Sequence, residues 1–183
     1  MKTVMPIRDK ERQREFAEYF ELNSQRDYVM FMCGVFLGLR ISDILKLRVQ
    51  DVRGTHIEIK EQKNKNNRRI FINRKLRKAL DDYIEDKRGN ELLFPSRKRS
   101  ATGKARALTR KGAIDVLKKA ASDLDYHEPI GTHSLRKTFA YNYYQMYGDL
   151  AELQKLLGHK EQNDTIRYIG LQQETFDDRI ANM

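Results

Sequence analysis

The spacing of apolar side chains predicts a mainly helical chain. Between residues 9 and 22, Phe16 and Phe20 recur at a helical interval behind a charged face, which is typical of a surface helix. Residues 25–38 are apolar almost all round, as in the central helix of a domain. Further helices are predicted from about 42 to 47, 74 to 87, 109 to 124, 149 to 157 and 164 to 169, and from about 132 onward.

One stretch has the period of two that marks a β-strand. Ile57 and Ile59 alternate with polar residues in one half of residues 55–73, and Ile70 and Ile72 do so in the other. The polar link "EQKNKNNR" joins the halves, which indicates a β-hairpin with a basic tip. The predicted fold class is therefore mainly α with a small antiparallel β-sheet, an α+β arrangement.

Length and charge narrow the class of protein. The 183 residues suffice for one ordinary domain, so residues 1–183 are predicted to form a single domain. Lys and Arg number 36 against 26 Asp and Glu, a formal net charge of +10, which favours a polyanionic partner such as nucleic acid.

The positive charge is concentrated in two stretches, residues 63–78 and 97–111. Either stretch alone could be a solvated surface loop, but two together favour contact with phosphates. The DNA-binding candidates are Lys65, Arg68, Arg69, Arg97, Lys98, Arg99, Arg110 and Lys111.

Several classes of protein are disfavoured. The single cysteine, Cys33, rules out an intramolecular disulfide and suggests a reducing compartment. The charged N-terminus is not a secretory signal, and the apolar stretch at 28–39 is too short to span a bilayer, so a cytoplasmic protein without membrane contact is expected. No histidine, cysteine or carboxylate cluster has metal-ligand spacing, so no metal site is predicted.

The candidate chemistry lies at helix ends and turns. Arg40 precedes a predicted helix with Ser42 as its N-cap and Asp43 near the positive end of its dipole. His133 and Arg136 are spaced i, i+3, so they share a helix face. Each feature also has an ordinary explanation as a turn, a cap or a solvated charge.

A second set lies near the C-terminus and in the hairpin. Gly158 is predicted to end a helix and turn His159 outward, and Tyr168 follows a short polar stretch. His159 could merely satisfy helix carbonyls, Tyr168 could be a core residue, and Lys63 could be one of several solvated tip lysines.

Together these residue types suit metal-free phosphoryl transfer. Two arginines can hold a phosphodiester with planar donor pairs, and tyrosine can act as a nucleophile. The unperturbed pKa of a phenol is about 10, and cationic surroundings would favour its ionised form. A lysine can protonate a leaving alkoxide, and histidines can bind phosphate oxygens or move the nucleophile's proton.

The motifs "LGLRISD", "HSLR" and "LLGH", with Tyr168 nine residues beyond His159, occur in one order over residues 40–168. In this the chain resembles the tyrosine recombinases, or phage integrases, and the resemblance implies their catalytic-domain fold. It also implies Tyr168 as nucleophile, Asp43 as a supporting residue, and a set around the phosphate comprising Arg40, Lys63, His133, Arg136 and His159. The family lysine lies in a hairpin turn, where Lys63 is preferred to Lys65 because it is nearer the end of the first strand.

The resemblance implies a site-specific recombinase that cleaves and rejoins double-stranded DNA through a covalent 3′-phosphotyrosyl intermediate, without metal, ATP or other cofactor. It implies a homo-oligomer on DNA, a tetrameric synapse, with a monomer in solution as a further expectation, encoded by a bacterium, phage or mobile element. The N-terminal core-binding domain of most members is expected to be absent. The tail, about 169–183, is expected to dock on a neighbouring protomer or on its own domain. Two alternatives stay open, a type IB topoisomerase and a non-catalytic DNA-binding regulator.

Overall fold

The protein is described by a computed structural model that covers residues 4–60, 67–98, 102–170 and Ile180. Helices α1 to α8 span, in order, Lys10–Asn23, Gln25–Leu37, Ile41–Ile44, Arg74–Ile84, Arg110–Asp123, Thr132–Tyr147, Leu150–Leu157 and Gln162–Ile169. Strands β1 and β2 span His56–Lys60 and Asn67–Phe71, and a short 3₁₀ helix covers Val49–Val52. The prediction of a mainly helical fold with a small antiparallel sheet is confirmed.

Helix α2 is the centre of the main core, as its apolar sequence predicted. It packs against α1, α4 and α6. Phe16 and Phe20 of α1 and Phe31 of α2 are all buried and form an aromatic cluster with ring centroids 5.4 to 6.4 Å apart. A Cβ on Gly34 would lie 2.5 Å from the Leu135 side chain of α6, so glycine is required where these two helices cross.

The predicted hairpin is present. Strands β1 and β2 pair antiparallel, with Ile57 opposite Ile70, and Ile57 is fully buried. The side chain of Asn73 then accepts a hydrogen bond from the Leu76 N–H and so caps α4. The basic tip of the hairpin, residues 61–66, lies outside the described residues.

One detail differs from the sequence-based expectations. Ser42 is not an N-cap, because the N–H groups of Asp43 and Ile44 already donate to the Arg40 carbonyl, which makes Arg40 the cap residue of α3. The connection between α4 and α5 contributes to the core, which the sequence analysis did not predict. Leu93 and Phe94 within it are fully buried, and the Leu93 N–H donates to the Leu47 carbonyl.

A second, smaller core supports the C-terminal helices. Ala140 of α6, Leu153 and Leu157 of α7 and Ile169 of α8 are all fully buried and pack together. Two short helices therefore sit on one face of α6. No described helix is both long enough and apolar enough to cross a membrane.

Candidate active site

The turn that carries Arg40 follows the end of α2. Gly38 ends α2 in the left-handed conformation with φ 61°, and a Cβ there would lie 2.4 Å from the Phe139 ring. Only glycine fits this position without strain. The chain then turns into α3, so that Arg40 is half-buried at the start of α3 and Asp43 is buried on α3 itself.

Arg136 joins three parts of the fold. Its side chain lies on α6 and is only 3% exposed. Its Nη1 donates to the Gly38 carbonyl and its Nη2 to the Leu157 carbonyl, both at 2.6 Å. The guanidinium therefore fastens the turn before Arg40 and the end of α7 to α6.

The end of α7 presents His159. Gly158 adopts the left-handed conformation with φ 63°, as the sequence predicted, and ends the helix. The His159 Nδ1 lies 3.0 Å from the hydroxyl oxygen of Thr165 on α8, and Thr165 is fully buried. This bond fixes the imidazole relative to α8.

Tyr168 lies against His159 on α8. The two ring centroids are 5.2 Å apart and the rings meet edge to face. Within the described ranges, the Tyr168 hydroxyl is covered and lacks a hydrogen bond of normal geometry, although Arg136 is near enough to act on it. Burial raises the pKa of the Tyr168 phenol, and the charges of Arg136 and Arg40 oppose that rise. Cations were expected to favour the ionised phenol, but here burial outweighs them, and the phenol is neutral at pH 7.

His133 lies at the start of α6 among positive charges. Its side chain is exposed, yet the surrounding protein atoms lower its pKa, and the charges of Arg110, Arg136, Lys137 and Arg40 lower it further. The imidazole is therefore neutral at pH 7 and can accept a hydrogen bond or a proton. The charge of Arg110 is close enough to lower the pKa of His133, so the start of α5 lies near the start of α6.

The described basic residues lie in more than one part of the protein surface. Arg97, Lys98 and Lys111 line a groove of about 660 Å³ between the α1–α2 turn and α5. Arg110 is exposed at the start of α5, and Arg69 is exposed on β2 beside the half-buried Arg68. Arg69 lies 3.6 Å from Glu58 across the sheet, but both side chains are mostly exposed, so this ion pair contributes little to stability.

Three predicted site residues cannot be placed. Lys63 and Lys65 belong to the hairpin tip, and Arg99 follows the described part of the basic connection, so all three lie outside the described residues. Among the described residues, the structure brings together Arg40, Arg136, His159 and Tyr168, with His133 beside them.

Lys137 was missed by the sequence analysis. It is 8% exposed, and its Nζ lies 5.2 Å from the centroid of the Tyr168 ring, within the range of a cation–π contact. Burial lowers its pKa, and the charge of Arg8 lowers it further. Its position four residues after His133, on the same helix face, was the signal available in the sequence. In the described part of the chain, no group of three or more His, Cys, Asp or Glu side chains is placed to hold a metal ion.

Fold and site together define a basic, mainly helical domain. Its site has arginines that can bind a phosphodiester, histidines that can accept a proton and a tyrosine that can act as a nucleophile. The profile of the phage integrase family matches residues 8–175. The chain is 40% identical over 176 residues to a probable integrase/recombinase, YoeC, from Bacillus subtilis (strain 168), covering 96% of this chain and 94% of that protein. It is 31% identical over 163 residues to a tyrosine recombinase of Pseudothermotoga lettingae, covering 86% of this chain but 54% of that protein.

Solved structures give the same fold. The XerA recombinase crystal structure matches with a TM-score of 0.76 at 19% identity, covering 99% of this chain and 66% of that one. The XerH site-specific recombinase bound to a palindromic difH substrate, in a post-cleavage complex, matches with a TM-score of 0.76 at 22% identity, covering 99% of this chain and 54% of that one.

The chain belongs to the phage integrase family, the tyrosine recombinases. The resemblance seen in its motifs and the predicted enzyme class, a tyrosine-type DNA strand transferase, are confirmed. The chain spans almost all of the Bacillus relative and about half the length of the second relative.

Proposed function

We propose that this protein is a site-specific DNA recombinase that cuts and rejoins DNA strands through a covalent 3′-phosphotyrosyl intermediate. The observation that carries the proposal is the convergence on one hydroxyl: the charges of Arg136 and Arg40 both act on Tyr168, and the His159 ring lies 5.2 Å from the Tyr168 ring. A phosphate between the two guanidinium groups would meet the nucleophile and its charge-stabilising donors together.

In the proposed reaction the Tyr168 oxygen attacks phosphorus, and the bond from phosphorus to the 5′ oxygen breaks. Arg40 and Arg136 stabilise the charge that grows on the phosphate oxygens. The leaving 5′ oxygen takes a proton from Lys63, and a histidine, His133 or His159, takes the proton of the phenol. Burial raises the pKa of the Tyr168 phenol, so the nucleophile starts neutral and a base must accept its proton during the attack.

The phosphotyrosyl bond keeps the energy of the broken phosphodiester. A 5′ hydroxyl from another strand can therefore attack it and release Tyr168, with no need for ATP. No proposed step calls for a metal ion, because the arginines supply the positive charge that a metal would otherwise provide.

The proposed partner is double-stranded DNA at recombination sites. The basic residues of the two charged stretches would contact its phosphates, namely Lys65, Arg68, Arg69, Arg97, Lys98, Arg99, Arg110 and Lys111. We propose that residues 1–183 act as a single catalytic domain, that Asp43 supports the arginine turn, and that the tail docks on a neighbouring protomer in a tetrameric synapse or on its own domain. Ile169, which was expected to begin the tail, instead ends α8 and is fully buried against α6 and α7. The XerH and Tn1549 integrase structures contain those proteins bound to DNA, which supports a DNA partner here.

A trapped covalent complex would test the proposal. Short duplexes that tile the DNA flanking the gene each carry a nick, so that a strand released by cleavage diffuses away and religation cannot occur. We expect a protein–DNA band that survives denaturant, without added metal or ATP and in the presence of EDTA. Tyr168→Phe should abolish the band while DNA binding persists. The matched control Tyr147→Phe removes a phenol that is 62% exposed on α6, and it should leave the band unchanged.

The contrary outcomes separate the alternatives. A band that persists in Tyr168→Phe would move the nucleophile to another residue. Clear binding with no band from any duplex would support the non-catalytic DNA-binding regulator. Relaxation of supercoiled plasmid that lacks the identified site would support a type IB topoisomerase.

A further inference from the structure

The segment before α1, residues 4–9, is fixed on the surface of α6. The Met5 N–H donates to the Pro129 carbonyl at 2.9 Å, and the Ile7 N–H donates to the Thr138 hydroxyl at 2.8 Å. Ile7 is fully buried. The segment is therefore an ordered strap across the start and middle of α6.

Arg8, in this strap, reaches the end of the helix that carries Tyr168. Its Nη2 donates to the Gly170 carbonyl at 3.2 Å. Gly170 is the C-cap of α8 with φ 72°, and a Cβ there would lie 2.7 Å from the same Nη2. The left-handed backbone favours glycine here, and a Cβ would also displace the end of the Arg8 side chain. The Arg8 guanidinium also lies 5.7 Å from the centroid of the Tyr141 ring.

Helix α8 packs on α6 and α7 through a small set of side chains. It is eight residues long, and its buried side chains are Thr165 and Ile169. Thr165 is bonded to His159 on the N-terminal side of Tyr168, whereas the Arg8 bond lies two residues beyond it. Tyr168 is therefore held between two hydrogen bonds, one from inside the candidate site and one from the strap.

We propose that Arg8 is a positioning residue for Tyr168. It holds the C-terminal end of α8, and the orientation of the Tyr168 side chain therefore depends on the position of the strap. The inference rests on the proposed function, in which Tyr168 attacks DNA. Arg8 acts through α8, since its bond is to the Gly170 backbone. Displacing the strap would then release the end of α8 and turn the phenol away from the phosphate.

The test compares Arg8→Ala, Arg8→Lys and a matched control, Arg14→Ala, which removes an exposed arginine from α1. At saturating DNA, the first-order rate of covalent complex formation should fall about tenfold in Arg8→Ala, the effect of losing one hydrogen bond from a charged donor. Arg8→Lys, which keeps the charge and a donor, should recover part of the rate. The Kd for the uncleaved duplex should change by less than about twofold in all three, because the bond to Gly170 does not involve DNA.

A double-mutant cycle guards against a general structural effect. Gly170→Ala should push the guanidinium away and slow the reaction, and its further cost in the Arg8→Ala background should be smaller than in the wild type, because only the strain of the left-handed backbone then remains. Full additivity of the two losses would overturn the proposal. So would an unchanged rate in Arg8→Ala, or a weaker Kd with an unchanged rate, which would make Arg8 a DNA contact. If Arg8→Ala does not fold, the rates of covalent complex formation in Arg8→Lys and Gly170→Ala test the proposal instead, and unchanged rates in both would overturn it.

Hydrogen exchange separates failure of this inference from failure of the proposed function. Without DNA, the amides of residues 162–170 should exchange faster in Arg8→Ala than in the wild type, and Arg14→Ala should match the wild type. Equal exchange in all three would overturn the positioning role. If the wild type bound DNA without forming a covalent complex, the proposed function would fail, and the exchange result would still decide whether Arg8 holds α8.

Discussion

Replacing Arg136 with lysine removes a planar pair of donors from a place where two buried carbonyls depend on it. The Gly38 and Leu157 carbonyls each accept a hydrogen bond at 2.6 Å from a different Nη atom. A lysine carries one nitrogen at the end of its chain and cannot reproduce the spacing of the two Nη atoms. At least one charge-assisted hydrogen bond is lost, and one carbonyl stays buried without this donor.

The magnitude follows from these two bonds. A hydrogen bond to a charged group contributes about 1.5–3 kcal/mol, so the loss of one bond and the strain on the other should lower the free energy of unfolding by about 2–4 kcal/mol. In a protein of this size each kcal/mol shifts Tm by about 2–4 °C, so Tm should fall by about 5–15 °C. The matched control Arg110→Lys replaces an exposed arginine and should shift Tm by less than about 2 °C.

Thermal unfolding followed by far-ultraviolet circular dichroism, without DNA, measures this effect. The rate of covalent complex formation, measured well below both midpoints, then separates chemistry from stability, and it should fall at least about a hundredfold in Arg136→Lys. An unchanged Tm would refute the reasoning, because the two carbonyl bonds would then contribute nothing to the fold. A lower Tm with a normal rate would instead make Arg136 a purely structural residue.

Three further predictions concern single residues. Gly38→Ala should destabilise the protein by about 1–3 kcal/mol in urea unfolding, because φ is 61° and the new Cβ would meet the Phe139 ring. Since the pKa of His133 is lowered from its ordinary 6.5, the covalent-complex rate should be flat from pH 7 to 8 and fall only below pH 6.5 if His133 is the group that accepts the phenol proton. Arg110→Ala should weaken DNA binding and reduce the slope of log K against log salt by about 0.9, if it contacts one phosphate.

Each of these predictions has a contrary result. Normal stability in Gly38→Ala would mean that the turn before Arg40 can relax. A rate that already falls between pH 8 and 7 would contradict the lowered pKa of His133. The lowered pKa also means that the unfolded chain takes up the proton first, so His133 should reduce stability as the pH falls below about 6.5, and His133→Asn should lessen this loss. A salt slope unchanged in Arg110→Ala would remove Arg110 from the DNA surface.

Local sequence patterns predicted the elements because each pattern reports on its own segment. The apolar run of α2, the alternating isoleucines of the hairpin and the break at Gly158 all have local physical causes. The prediction of Ser42 as an N-cap was wrong, because the backbone already turns into α3 at Arg40. The preference of serine for N-cap positions cannot show where the end of the preceding helix places the start of the next one.

Contacts between distant segments could not be predicted from local sequence patterns. Arg8 and Gly170 are 162 residues apart, and no periodicity connects them. In the sequence Lys137 is an ordinary charged residue of α6, yet in the structure it is buried, with its Nζ 5.2 Å from the centroid of the Tyr168 ring on α8. The ionisation of the Tyr168 phenol was predicted wrongly for a similar reason. The sequence indicated that cations would lie nearby, but it did not show how completely the phenol would be buried.

The two carbonyls that hold Arg136 also decide when its side chain loses conformational freedom. An arginine side chain gives up about 1.5–2 kcal/mol of rotamer entropy when it is fixed. For Arg136 that loss occurs during folding, whereas exposed residues such as Arg97 and Lys98 must lose it when DNA binds. A phosphate arriving at Arg136 therefore meets a preorganised guanidinium, and its binding free energy is spared the cost of ordering that group.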